Sequence, residues 1–205
     1  MKVAVFGGSF SPVHTGHLAV ATEVIERRLA DEVWLLPCRK NPLKDESGLL
    51  PNDIRLQLLE KAVNYQNAQL GGEPLKVCDI ELELPSPSYT IDTLRLLSHL
   101  YPEYEFRLLA GGDSYLEFEH WKDWEIIETE FSPIVYPRPG NDIGTLRKSW
   151  TLLDGVKEWD ISSSAIREML CREGDIPGEF MPWAENQDIG NLKTQIIRNY
   201  GKSGH

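Results

Sequence analysis

Residues 3–17 read VAVFGGSFSPVHTGH. Val3 to Phe6 is a continuous apolar run, the pattern of a strand buried on both faces. It runs into Gly7-Gly8, and from about Gly16 to Leu29 the apolar residues Leu18, Ala21, Val24, Ile25 and Leu29 share one helical face. A buried strand that passes through glycines into a helix is the opening unit of a parallel α/β sheet. Glycine at the strand exit lets a ligand approach the backbone closely. The free N–H groups and partial positive charge of the helix start favour an anion there. His14 and His17, three apart at that start, add ring nitrogens that can donate to phosphate oxygens or carry charge near neutral pH. The segment has neither the GK[ST] ending of a P-loop nor the third glycine of a dinucleotide fingerprint.

Outward from this stretch the alternation continues. Strands are predicted at Val33–Leu36, Lys76–Ile80, Phe106–Ala110 and Ile134–Tyr136. Arg39–Pro51, polar and broken by prolines, reads as a loop. Asn52 is the predicted N-cap of a helix that carries Leu56, Leu59, Ala62 and Val63 inward. Further helices are expected over Thr90–Leu100, Ser114–Glu119, Trp124–Glu128, Ser163–Cys171 and about Ile189–Tyr200. Glu81 and Glu83 alternate on a predicted strand and read as a solvated acidic face. The expected fold is α/β, a Rossmann-like doubly wound parallel sheet with helices on both faces and a small C-terminal helical segment. One domain would span residues 1–205, with the sheet core in 1–155 and the helical segment in 156–205. In open α/β sheets ligands sit at the carboxyl ends of the strands. That rule selects Gly7–His17, Arg39–Lys44, Gly111–Asp113 and Arg138–Gly140.

Composition narrows the functions. With 21 Lys and Arg against 32 Asp and Glu, the formal charge is −11. That balance opposes a backbone-tracking nucleic-acid groove but leaves room for a small basic pocket. No run approaches the roughly 20 apolar residues of a membrane span, and the amino terminus lacks a signal-peptide pattern. Cys38, Cys78 and Cys171 are far apart, with no metal or CxxC spacing, which points to a reducing cytoplasm and to no metal site built from cysteines. Self-association is left open.

A second segment, ISSSAIRE at 161–168, places Ser162, Ser163 and Ser164 at a helix start with Arg167 one turn later. Hydroxyls, helix-start amides and a forked guanidinium suit a polyphosphate; taken alone, the same pattern also fits an ordinary N-cap followed by a solvated arginine. Together, HTGH and ISSSAIR resemble the paired motifs of the HxGH nucleotidyltransferases, relatives of class I aminoacyl-tRNA synthetases. LPCRKNPLK (36–44) followed by Arg55, PSYTIDTL (87–94), GGDSYLEFEHWKDWEII (111–127) and YPRPG (136–140) narrow the resemblance to the bacterial nicotinate-nucleotide adenylyltransferases. It runs from residue 1 to about 173. Ser11 stands where relatives carry Asp or Asn, and the tail from Gly174 departs from the family's closing pattern.

The resemblance implies transfer of AMP from ATP to nicotinate mononucleotide with release of pyrophosphate. It implies Mg²⁺ held mainly through the ATP phosphates, with no protein metal ligand. His14, His17, Arg167 and Lys44 would be catalytic. Gly7, Gly8, Ser9, Phe10, Gly16, Gly111, Asp113, Arg138, Ile161, Ser163 and Ser164 would bind ATP. Tyr89, Thr90 and Trp121 would line the nicotinate pocket. Several of these residues have plainer readings too: His14 as a turn cap and His17 as a satisfied surface histidine, Trp121 as core packing with Phe118 and Trp124, Tyr89 as simple packing, Asp113 as a helix cap, and Lys44 as a solvated loop charge. The alternatives at the level of function are the same fold acting on nicotinamide mononucleotide or pantetheine phosphate, and a non-catalytic nucleotide-binding module.

Overall fold

A computed structural model describes residues 1–38, 49–85, 87–138, 142–156 and 161–200. Six parallel strands form one sheet: β1 (Lys2–Gly8), β2 (Glu32–Pro37), β3 (Leu75–Val77), β4 (Glu105–Gly111), β5 (Ile134–Tyr136) and β6 (Thr151–Leu152). Their order across the sheet is β3-β2-β1-β4-β5-β6. The chain builds outward from β1 to β3, then returns to place β4 on the other side of β1. That reversal opens a crevice at the carboxyl ends of β1 and β4, where Gly7-Gly8 and Gly111 lie.

The helices cover both faces. α1 (Thr15–Glu26), α2 (Asn52–Leu70), α7 (Ser163–Arg172) and α8 (Asn186–Tyr200) pack on one side; α4 (Thr90–Leu100), α5 (Gly112–Leu116) and α6 (Trp124–Glu130) pack on the other. Strand β1 shows why its run is wholly apolar. Ala4 and Phe6 enter the first core cluster while Val3 and Val5 enter the second, and none of the four is more than 3% exposed. Period-two alternation here divides side chains between two dry layers rather than between core and water. Ile166, Leu170, Leu192 and Ile196 of the C-terminal helices share the first cluster with Ala4 and Phe6. The Lys61 ammonium reaches both oxygens of Asp188 at 2.8 Å, joining α2 to α8.

Several elements differ from the sequence expectation. The predicted strand Lys76–Ile80 is β3, ending at Val77, followed by a short helix α3 (Ile80–Glu83). Glu81 is therefore not on a solvated strand face. It is buried, and the Thr93 hydroxyl donates to its Oε1 at 2.8 Å; burial pushes its carboxyl above the usual range. Ile80, Glu81, Leu82, Glu83 alternate in polarity, which mimics a strand over a stretch too short to reveal a helical period. Strand β6 was not anticipated, because two residues carry no pattern. The N-cap of α2 is Pro51, and Asn52 is its first helical residue. In α2 it is Leu58, not Leu56, that joins Leu59, Ala62 and Val63 in full burial. The predicted helix Ser114–Glu119 is α5 followed by a 3-10 turn over Phe118–His120.

Candidate active site

Two segments from opposite ends of the chain meet at the crevice. The first is the β1–α1 loop. His14 is the N-cap of α1, and its own backbone N–H donates to His17 Nδ1 at 3.2 Å. That bond fixes the neutral tautomer of His17: Nδ1 accepts, so Nε2 carries the hydrogen and is a donor. The two rings lie 3.8 Å apart between centroids. Phe10, with φ at +43°, sets its ring edge-on to His17 and against Phe6. Gly16 has a steric reason: a Cβ there would sit 3.1 Å from His14 Nδ1. Gly7 faces open space, with nothing within 4 Å of a hypothetical Cβ.

The second segment is the start of α7. Ser162 caps it, its Oγ accepting from the Ala165 N–H at 3.1 Å. Ser163 Oγ donates to the Pro12 carbonyl at 2.8 Å. The Arg167 guanidinium donates to the Ser11 carbonyl at 2.6 Å and to Ser164 Oγ at 3.0 Å. Ile161 lies against α1, its Cγ2 3.5 Å from where a Gly16 Cβ would stand. A 3-10 turn over Gly178–Phe180 adds a third tie, since the Thr15 hydroxyl donates to the carbonyls of Phe180, at 2.7 Å, and Glu179. The two motifs thus share one surface.

Across the crevice, Gly111 ends β4 and caps α5, so Asp113 sits in the first helical turn rather than at the cap. Arg138, just past β5, donates to the Tyr136 hydroxyl at 3.0 Å and pairs with Asp113 at 3.4 Å. Gly111 makes this cluster possible. A Cβ there would fall 2.8 Å from Asp113 Oδ1 and 3.0 Å from both Arg138 Nε and the Tyr136 hydroxyl.

The electrostatics choose between the two readings of the histidines, donor or cation. His14 and His17 are 6% and 9% exposed. Burial first, and the nearby Arg138 cation second, hold His14 down to about 3. Burial, then His14, then Arg138 hold His17 well below the usual imidazole range. Neither ring is charged at neutral pH in this state. They are hydrogen-bonding groups beside a cationic rim made by Arg138 and Arg167. Among the described residues His14 Nδ1 is buried and makes no full hydrogen bond, facing the His17 N–H in the manner of a capping box.

Tyr89, Thr90 and Trp121 form a separate group on the other face of the sheet. Tyr89 caps α4 and Thr90 begins it. Trp121 follows the 3-10 turn and packs 5.7 Å from Phe118, between ring centroids. Lys122 joins the two, its ammonium 4.9 Å from the Tyr89 ring centre and 2.8 Å from Asp92. Lys44, Arg39, Pro139 and Gly140 lie outside the described residues. Among the described residues no group of three or more His, Cys, Asp or Glu could hold a metal ion, and no helix is long and apolar enough to cross a membrane.

Sequence reasoning gave Arg55 no role of its own. It is fully buried at the start of α2, and its guanidinium donates to the carbonyls of Ser9 and Cys38 at 2.7 and 2.8 Å. The available signal was its place, three and four residues before Leu58 and Leu59, on the face that packs inward. Ser11 is buried too, and its Oγ accepts the Leu50 N–H at 3.0 Å. A short hydroxyl therefore serves where a carboxylate or amide was expected.

The model of the cytidylyltransferase-like family matches residues 5–169. A Bacteroides fragilis protein named "Probable nicotinate-nucleotide adenylyltransferase" is 40% identical over 177 residues, 85% of each chain. A Porphyromonas gingivalis protein of the same name is 37% identical over 191 residues, covering 92% of this chain and 93% of its own. Among solved structures, a Plasmodium falciparum nicotinic acid mononucleotide adenylyltransferase complexed with APC superposes with a TM-score of 0.70 at 20% identity. It covers 98% of this chain and 96% of its own, and at that identity it speaks to the fold.

Proposed function

The chain belongs to the nicotinate-nucleotide adenylyltransferases within the cytidylyltransferase-like family, and on that premise we propose that it transfers AMP from ATP to nicotinate mononucleotide, giving nicotinate adenine dinucleotide and pyrophosphate. One observation carries the assignment of the site: Ser163 and Arg167 of α7 bond directly to the loop that bears His14 and His17. The crevice so formed has the donors a triphosphate needs.

A phosphate oxygen of the mononucleotide attacks the α-phosphorus of ATP. The bond from that phosphorus to the bridging oxygen breaks, and its electron pair leaves with pyrophosphate. A phosphate monoester is already ionised at neutral pH, with a second pKa of about 6, so no general base is required. The protein's work is placement and stabilisation of the charge that gathers on the phosphoryl oxygens. His17 donates from Nε2 and His14 lies beside it. Arg167, Ser164 and the α1 and α7 amides hold the outer phosphates, the resemblance gives Lys44 a place on phosphate oxygens, and Arg138 and Asp113 flank the nucleoside. Tyr89, Thr90 and Trp121 hold the pyridine ring. A donor set of amides, hydroxyls, imidazoles and guanidinium groups suits phosphates rather than a bare cation. Mg²⁺ would be held through the ATP phosphates and supplies charge neutralisation there when bound.

The test is pyrophosphate release from ATP and Mg²⁺ with nicotinate mononucleotide, nicotinamide mononucleotide and phosphopantetheine in parallel. Preferred turnover of the first is expected. No turnover with either pyridine mononucleotide would overturn the reading.

A further inference from the structure

The buried Arg55 is the feature of the crevice that the reaction scheme does not use. Its guanidinium, 0% exposed, lies beneath the carboxyl ends of β1 and β2. Nη1 donates to the Ser9 and Cys38 carbonyls at 2.7 and 2.8 Å, and Nη2 donates to Asn52 Oδ1 at 2.6 Å. The Cys38 N–H in turn donates to the Gly8 carbonyl at 2.9 Å. One side chain therefore links the residues just past two neighbouring strands to each other and to the start of α2, through charge-assisted bonds, where the β1–α1 loop begins.

The Ser9–Phe10 peptide gives this link a direction. In a trans peptide the carbonyl and the following N–H point opposite ways. With the Ser9 carbonyl drawn down to Arg55, the Phe10 N–H is turned away from it. Phe10 is 1% exposed, yet its N–H has no acceptor among the described residues. Its φ of +43° is a conformation that side-chain-bearing residues seldom adopt. A buried amide left open, in a backbone held off its preferred geometry, is a donor kept ready for an incoming acceptor.

We infer that Arg55 is a positioning residue for the nucleotide: by fixing the Ser9 and Cys38 carbonyls it presets the β1–α1 loop to receive the polyphosphate of ATP. The role rests on the proposed use of ATP but not on the identity of the acceptor. It acts through hydrogen-bond geometry, so charge alone does not replace it. A lysine keeps the cation but cannot form the planar fork that spans Ser9, Cys38 and Asn52.

The experiment measures Kd for the non-transferable analogue α,β-methylene-ATP by calorimetry, with wild type, Arg55→Lys and Asn52→Ala. Each is read well below its own melting temperature. Arg55→Lys is expected to weaken the analogue by about tenfold or more, the scale of lost hydrogen bonds to a charged group, while KM for the acceptor changes little. Asn52→Ala, at an exposed position, is expected to weaken it by a smaller factor. A purely structural arginine would lower the melting temperature and leave Kd of the folded protein unchanged; that result overturns the inference. If Arg55→Lys does not fold, Asn52→Ala decides, and wild-type affinity there overturns it as well. Wild type that fails to bind the analogue overturns it outright. Wild type that binds the analogue but does not use nicotinate mononucleotide overturns the acceptor reading alone.

Discussion

Arg167 and Ser11 stand 156 residues apart in the chain, yet the guanidinium of one donates to the carbonyl of the other at 2.6 Å. The bond lies on the rim of the crevice and shares its arginine with Ser164. It makes the geometry of the β1–α1 loop depend on the docking of α7, so that a residue from the far end of the chain holds the loop and, on the proposed function, would also offer charge to the substrate.

Arg167→Met should therefore cost more than one phosphate contact. The expected loss in kcat/KM is about 10²- to 10³-fold, the range for removing a donor that acts in the transition state. Steady-state pyrophosphate release, with circular dichroism to confirm folding, checks it. A folded variant with wild-type kcat/KM would remove Arg167 from the site.

His17→Ala tests the donor assigned to Nε2. Its loss should lower kcat by at least about 10²-fold, with KM for ATP moving less. The substitution also frees the His14 N–H that His17 Nδ1 accepts, so His17→Asn, whose side-chain oxygen can take that bond, is the companion variant. If Asn restores the loop but not kcat, the ring's role is chemical. If Asn restores both, His17 only holds the turn.

How far the sequence anticipated this site depended on where each physical cause lies. Local signals were readable: the apolar run of β1, the glycines at its exit, and the serines that begin α7. The reversal of strand order follows from packing but was implicit in the alternation of elements. What escaped was set by the third dimension. Glu81 looked solvated because its neighbours alternate, whereas the Thr93 hydroxyl from α4 receives it in the interior. Arg55 was given no role of its own, because only the folded loop supplies the carbonyls that make its burial tolerable. The charge state of the histidines stayed open between donor and cation for the same reason: burial, which no spacing reveals, keeps both rings neutral.

That neutrality has a pH consequence. His14 titrates near 3 in the folded chain against about 6.5 unfolded, and His17 is shifted in the same direction. Between those values the unfolded state binds more protons, so stability rises with pH there and falls on acidification. The buried His14 imidazole should cost roughly 1 kcal/mol between pH 6.5 and 5.5, and His17 adds a loss of the same sign. Urea melts from pH 7.5 to 5.5 are expected to show the loss, and His14→Gln should reduce it, leaving the share of His17. Saturating ATP should also reduce it, because a polyanion beside the rings favours their protonated forms. A stability profile indifferent to pH in this window, in the wild type, would contradict the burial assigned to the rings.

Gly111 separates stability from function most cleanly. An alanine there brings its Cβ within 2.8 Å of Asp113 Oδ1 and 3.0 Å of Arg138 Nε and the Tyr136 hydroxyl. Asp113 and Arg138 are flexible side chains that can swing aside, the buried Tyr136 ring needs to give by only a few tenths of an ångström, and Gly111 itself lies at φ −77°, which alanine accepts. The melting temperature of Gly111→Ala should therefore stay within a few degrees of wild type, the shift expected for about 1 kcal/mol. The Arg138–Asp113 pair cannot stay in place, however, and on the proposed function that pair flanks the nucleoside. KM for ATP should rise by about tenfold or more, while KM for the mononucleotide changes little, since Tyr89 and Trp121 belong to a different group of contacts. Thermal melts and two-substrate kinetics on the one variant decide it. An unchanged KM for ATP would show that Arg138 and Asp113 do not meet the nucleotide, and a large drop in melting temperature would show that the cluster is part of the fold rather than of the site.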